Sequence, residues 1–358
     1  MTATAIPVST STPVDLDGVL ETVTARADDL DRGEGAARDV LPLLASTGAL
    51  DAGLPRNRDG GLLEMVETLA QVSACCLSSA FTAWAHRMTM EYLAHADTPY
   101  SRDLLTGMVT GERPGVTGMA SAFRELAGCG SLDVTATVEG EELVLDGTLR
   151  WASNLYEDAV LVTAARTTTG DRIVVALPVD TPGVTVGPPF SLMALGSTAS
   201  SFLKIENVRI GAHQVLTSDF EAFLTSVRPT FVMLQTALCV GLATTALEEA
   251  RSSLIGVNAV FAGEVDRLVG KLALVRSAMT AHARAEATAH AAGRAELLAM
   301  RLQAAEVAFE AAILETKSAG GKGYARSSGT SRRMREAVFF PVQSPSEAQL
   351  RWELASCA

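Results

Sequence analysis

Hydrophobic and polar positions change their rhythm twice along the chain. Val14, Leu16, Val19, Leu20 and Val23 recur at helical spacing and predict a helix over 14–31. A second helix follows over 36–47 and stops at Gly48. From 62 to 95 the chain is apolar on most faces and holds neither Pro nor Gly, which predicts one long helical region inside a domain. A short helix over 101–109 closes this part. Strand-like alternation then takes over between 116 and 210. The run 131–138 alternates, 139–142 turns and 142–145 returns; 159–166 and 173–177 flank a turn at 167–171; 200–210 is the last strand. Short strands at this spacing predict a compact β-barrel or sandwich. Helices resume over 219–256, 263–293 and 295–318, with shorter ones around 330–337 and 345–355. Long helices joined by short breaks predict an up-and-down four-helix bundle.

The fold class is therefore α+β and multidomain. A disordered tail over 1–12 precedes an N-terminal helical domain over 13–114, a small β-barrel domain over 115–214 and a C-terminal helical bundle domain over 215–358. Of the 358 residues 48% are hydrophobic and 20% charged, a globular composition. The formal net charge of −12 argues against nucleic acid or an anionic membrane as partner, since both favour basic surfaces. Cys75, Cys76, Cys129, Cys239 and Cys357 form no CxxC pair, and reduced thiols in the cytoplasm are the simplest reading. The N-terminus lacks a basic segment followed by an apolar one. The most apolar stretch, 230–247, contains Gln235 and several Thr and is bounded by Pro229 and Glu248-Glu249. It reads as a helix buried in an assembly rather than a membrane span, and it predicts a homo-oligomer.

Candidate chemistry lies near the middle, at Leu149-Arg-Trp-Ala-Ser-Asn154. On an alternating strand Trp151 and Ser153 share a face. A flat indole beside a hydroxyl donor suits a flat hydrogen-bonding ring such as a flavin, although tryptophan on a strand is commonly plain sheet core.

The order of helical domain, β-domain and bundle, together with particular residues, resembles the acyl-CoA dehydrogenase superfamily over most of the chain. Trp151-Ala-Ser-Asn154 stands where the family has Trp-x-Thr/Ser-Asn. Leu195-Gly-Ser-Thr-Ala-Ser-Ser-Phe-Leu-Lys-Ile-Glu-Asn-Val208 is similar to its strand and loop leaving the β-domain. Arg228-Pro229 opens the bundle, and Gly320-Gly-Lys-Gly-Tyr324 followed by Arg335-Glu-Ala337 resembles Gly-Gly-x-Gly-Tyr/Phe then Arg-Asp-Ala.

The resemblance implies a flavin, FAD first, with FMN or reduced flavin borrowed from a partner as alternatives. Trp151 would pack beside the isoalloxazine and Ser153 would donate to its N5. Met119, Ala120 and Ser121 would offer main-chain groups to the pyrimidine edge, the family's Thr-Glu-Pro being absent. Gly320, Gly321, Lys322 and Gly323 would hold the pyrophosphate, because 255–266 lacks the Arg and Gln that many members use there. The family's dehydrogenases also need a carboxylate that takes the substrate's α-proton. Its usual seat is Ser344 here and the minority seat, just before Arg228, is Val227. Glu347, one turn beyond Ser344, is the substitute, ahead of Glu336.

Ser78-Ser-Ala-Phe-Thr-Ala-Trp-Ala-His86 resembles the corresponding helix of the superfamily's monooxygenases, in which a histidine handles a flavin peroxide. Their second histidine is Gln343 here, and a satisfied core histidine is the competing reading of His86. Two functions follow from the resemblance. One is α,β-dehydrogenation of an acyl thioester, bound to CoA or a carrier protein, with an unconventional base and an electron-transfer partner. The other is a two-component monooxygenase that takes reduced flavin from a reductase and oxidises a small molecule with O2. Both imply a homodimer or homotetramer.

Overall fold

The computed structural model describes residues 15–58, 61–286 and 291–357; the tail expected over 1–12 lies outside them. Five helices come first: α1 (Asp17–Asp31), α2 (Val40–Ser46), α3 (Leu63–Cys75), α4 (Leu77–Ala96) and α5 (Pro99–Met108). The stretch expected as one helical region over 62–95 is two helices, because Cys76 takes an extended conformation (φ −156°, ψ 116°). No breaker residue marks this point. The Cys75 carbonyl instead accepts from Arg332 Nη2 at 3.2 Å, a contact supplied from far along the chain. Thr98 and Ser101 cap the start of α5 reciprocally, at 2.9 and 3.0 Å, with Pro99 in the first turn.

The middle of the chain builds one eight-stranded sheet and a short helix that packs on one of its strands and on the long helix that follows the sheet. Its elements are β1 (Gly115–Gly118), α6 (Ala120–Leu126), β2 (Val134–Glu139), β3 (Glu142–Ala152), β4 (Val160–Thr167), β5 (Arg172–Pro178), β6 (Val184–Val186), β7 (Ser201–Gly211) and β8 (Val215–Thr217). The order is β6-β7-β3-β2-β4-β5-β8, with β1 parallel to β4. β4 is buried on both faces. Leu161 and Ala165 join the β-core, while Val160, Val162 and Ala164 join the helical core. Double burial is why 159–165 reads as a continuous apolar run. The helix α6 departs from the strand-like reading of this region.

Helices α7 (Phe220–Ser252), α8 (Ala262–Ala285), α9 (Arg294–Ala319), α10 (Gly321–Tyr324), α11 (Gly329–Ala337) and α12 (Glu347–Ala355) complete the chain. Among the described residues α7 is the helix long and apolar enough to cross a membrane, and 89% of its most apolar window is buried inside the fold. It runs against α3, α4, α8 and α9. A Cβ at Gly241 would lie 2.1 Å from the Ala70 carbonyl, so only glycine lets α3 and α7 approach this closely. Ser73 Oγ, donating to the Leu238 carbonyl at 2.7 Å, fixes the register of that contact.

Candidate active site

Trp151 is 68% exposed. The cause is a register shift in the β3–β7 ladder: Leu149 pairs with Leu203, but Ala152 pairs with Ser201, so β3 carries one extra residue. The bulge turns the indole away from the core and against Phe190, with ring centroids 4.5 Å apart. Ser153 follows directly. Its hydroxyl lies 2.7 Å from Ser200 Oγ, which lies 2.7 Å from Thr198 Oγ1, which donates to the Leu195 carbonyl at 2.7 Å. Since the threonine proton goes to a carbonyl, the string runs from Ser153 to Ser200 to Thr198. Asn154, wholly buried at φ 61°, donates through Nδ2 to the carbonyls of Thr82 (3.0 Å) and Gly115 (3.1 Å), which ties the end of β3 to α4 and β1.

Around this junction lie buried polar atoms with no hydrogen-bond partner: Thr82 Oγ1, Trp84 Nε1, Ser121 Oγ, Asn154 Oδ1 and Ser197 Oγ. Native interiors leave few such groups unmade, and each costs free energy. They belong to α4, to the start of α6, and to the loops after β3 and before β7. A ring with several donors and acceptors answers such a set, so these residues fit the flavin the sequence implies. Met119 and Ser121 are buried beside Gly118 and Ala120 is half-buried, with Ala120 and Ser121 in the first turn of α6, where main-chain N–H groups have no helical partner.

His86 is wholly buried, and both ring nitrogens are in use. The Gly115 N–H donates to Nδ1 at 3.1 Å, so Nε2 carries the proton and donates to the Met108 carbonyl at 3.1 Å. Burial pushes its pKa down from 6.5 to about 3, against the Met108 contact, which favours the charged form. The imidazole is neutral at ordinary pH and clips α4 to the end of α5 and to β1.

The two positions at which the resemblance would put a carboxylate are Val227 and Ser344. Val227 is fully buried on α7. Ser344 gives its carbonyl to Gln235 Nε2 at 2.8 Å, and its buried hydroxyl has no partner. Gln343 is buried, with Oε1 accepting from Arg301 at 3.2 Å. Glu347 begins α12 and accepts from Arg351 Nε at 2.9 Å, on a partly exposed face. Glu336 is buried 4.0 Å from Arg332 Nε, and burial raises its pKa.

Arg228 is 7% exposed and pairs with Glu353, a fully buried carboxylate on α12. The same carboxylate accepts from Arg294 Nη2 at 2.6 Å and from Gln349 Nε2 at 2.9 Å. Burial lowers the Arg228 pKa while Glu353 opposes that shift. Sequence reasoning missed Glu353, Arg294 and Ser200. The available signal was the spacing of Gln349 and Glu353 on a helix next to Leu350, a buried apolar position.

The turn 320–323 closes α9. Gly320 (φ 61°, ψ −147°) lies in a region of backbone space essentially reserved for glycine. Lys322 is exposed, and Gly323 packs against Thr330 of α11. Among the described residues no hydrogen bond or ion pair joins this turn to the Trp151 stretch.

The fold so built is similar to that of solved acyl-CoA dehydrogenases. No family model matches the chain. The chain is 28% identical over 245 residues to the probable acyl-CoA dehydrogenase YngJ of Bacillus subtilis (strain 168), covering 62% of this chain and 62% of that relative's length. Glutaryl-coenzyme A dehydrogenase in its glutaryl-CoA complex superposes with a TM-score of 0.84 at 15% identity, covering 98% of this chain and 96% of that one. The prolyl acyl carrier protein oxidase AnaB superposes with a TM-score of 0.81 at 17% identity, covering 95% and 97%.

Proposed function

We propose that the chain is an FAD-dependent oxidoreductase that desaturates an acyl group held as a thioester on CoA or a carrier protein. One observation carries the reading: a solvent-open indole at the end of β3, beside a hydroxyl string, with unpartnered buried polar atoms on the neighbouring elements. Trp151, Ser153 and the main chain at Met119–Ser121 would hold the ring, with Gly320–Gly323 and Lys322 toward the phosphates. Bound FAD would supply the two-electron acceptor. The likeness to a CoA-thioester dehydrogenase and to a carrier-protein oxidase supports the substrate class.

The chain's own residues then have definite tasks. Ser153, on leaving Ser200, has a proton to donate to a ring nitrogen. For the α-proton we assign Glu347 rather than Glu353. Glu353 is wholly buried and has both oxygens engaged by two guanidiniums and a carboxamide, so neither oxygen is free to meet a substrate. Glu347 has Arg351 alone, on a helix face that is partly open. The monooxygenase alternative draws no support from His86, whose proton is held by Met108. We place the enzyme in the cytoplasm as a homo-oligomer that passes electrons to a partner protein. Exposed apolar side chains at Ile255 (79%), Val257 (87%), Val260 (76%) and Leu274 (74%) support the assembly.

The test is to purify the protein and titrate it with FAD, FMN and acyl thioesters without oxygen. The expected result is FAD bound in stoichiometric amount and bleached by a thioester. Turnover by Glu347→Gln should fall by roughly 10²-fold or more, with FAD retained. Failure to bind either flavin at micromolar concentration would overturn the reading.

A further inference from the structure

Between α6, α7 and α9 lies a cavity of about 230 Å³ whose charge does not balance. Its walls are apolar, with Leu126, Val232, Leu297 and Leu298 among them, and its two charged lining groups are Arg228 and Arg294. Among the described residues no acidic side chain lines it. Glu353 holds the two guanidiniums together but is itself 0% exposed and does not form the wall. Its Oε1 is further taken by Gln349. Two cations against one carboxylate leave a formal excess of one positive charge, presented to an apolar space.

We infer that this cavity binds a monocarboxylate with a short apolar body, its carboxylate seated on Arg228 and Arg294. Each guanidinium has five N–H donors in a planar fork, and Glu353 engages the Nη2 of each. The remaining donors match the geometry of a second carboxylate. A phosphate dianion fits less well, because Glu353 already places a negative charge behind the arginines. A neutral apolar molecule would leave the excess charge desolvated and unmatched. The leucines and Val232 account for the body of the ligand. The carboxylate has two possible sources, a free acid or the distal end of a dicarboxylic acyl thioester, and the chemistry at the arginines is the same for both. The inference goes beyond the proposed reaction and does not depend on it, since binding is read without flavin or turnover.

The test is isothermal titration of the full chain with hexanoate, hexanol and hexylamine near pH 7. Hexanoate should bind, and the alcohol and amine should not. Arg294→Gln should weaken hexanoate at least tenfold. Arg294 is the suitable variant because its side chain is 44% exposed, so its loss should leave the helices in place. A second variant, Thr225→Trp, alters an exposed lining residue and keeps both arginines; it should weaken hexanoate by obstruction alone. Competition with the adipoyl and hexanoyl thioesters of N-acetylcysteamine separates the sources. Displacement by the adipoyl compound only assigns the site to an acyl terminus, and displacement by neither assigns it to a free acid. Absence of hexanoate binding, equal binding of hexanol, or unchanged binding in both variants would overturn the inference.

Discussion

Arg335 grips Asp31 with both terminal nitrogens, at 2.6 Å each, across 304 residues of chain. One turn earlier Arg332 pairs with Asp28 at 2.7 Å, so two arginines of α11 lie along two aspartates of α1. Arg335 Nη1 also donates to the Met193 carbonyl at 3.2 Å, in the loop that carries Phe190. Phe190 is the ring packed on Trp151. The Arg335-Glu-Ala337 motif therefore acts as a clamp that joins α1, α11 and the loop behind the indole. Replacing Arg335 by Met keeps the stem and removes the fork. Each partner in the pair is 14% exposed, and the loss should cost roughly 2 kcal/mol. Thermal unfolding should shift downward, and flavin affinity should fall although residue 335 need not touch the ring. A variant with unchanged flavin affinity would confine the clamp to stability.

The hydroxyl string makes a sharper prediction. Ser153 spends its proton on Ser200 as long as Thr198 donates to Leu195. Ser200→Ala removes that acceptor and frees the Ser153 proton for a ring nitrogen. Ser153→Ala removes the donor altogether. The two variants should shift the reduction potential of bound FAD in opposite directions, because they change donation to the same atom in opposite senses. Spectroelectrochemical titration reads this directly, and shifts of the same sign would exclude the string as the cause.

Much of the architecture was legible in spacing alone, because helical and strand periodicities report which faces are buried. The site was legible only in part. Trp151 and Ser153 stood out by residue type, but strict alternation predicts a core indole, and the bulge that exposes it depends on how β7 pairs. The break at Cys76 likewise coincides with a long-range contact, Arg332 reaching the Cys75 carbonyl. Glu353 carried only the faint signal of its helical spacing from Gln349, for a related reason. A glutamate among polar helix residues reads as solvated until two arginines from α7 and α9 are known to close over it.

Acid stability should carry the mark of His86. Its folded pKa of about 3 lies below the ordinary 6.5, so the unfolded chain takes up a proton that the native chain refuses. Stability from this group is therefore fully present above about pH 6.5 and is lost progressively as pH falls toward 3. His86→Gln keeps one donor and one acceptor for Met108 and Gly115 but cannot titrate. Its unfolding free energy, followed by urea denaturation between pH 7 and 4, should fall less steeply than that of the wild type. Equal slopes would place the acid sensitivity elsewhere.

Glu286 makes the opposite prediction at the alkaline side. It stands at the end of α8 near Arg58, Glu91 and His95, and burial raises its pKa from 4.5 to about 7. Glu91 adds to that rise, while Arg58 and His95 oppose it. Glu91 is already committed: Arg58, Arg87, His95 and Thr230 all bond it, and despite its burial the arginines and the histidine hold its own pKa well below the carboxylate range. The cations near Glu286 are thus spent on its neighbour, and one of its oxygens has no partner. A carboxyl whose folded pKa is raised binds more protons in the native state, so stability is greatest below pH 4.5 and declines as pH rises through 7. Glu286→Gln removes that decline. The variant should match the wild type near pH 5 and exceed it at pH 8, with the difference flattening above the folded pKa. Denaturation curves at the two pH values decide it; a variant less stable than the wild type at pH 8 would mean that the ionised Glu286 is held by Arg58 after all.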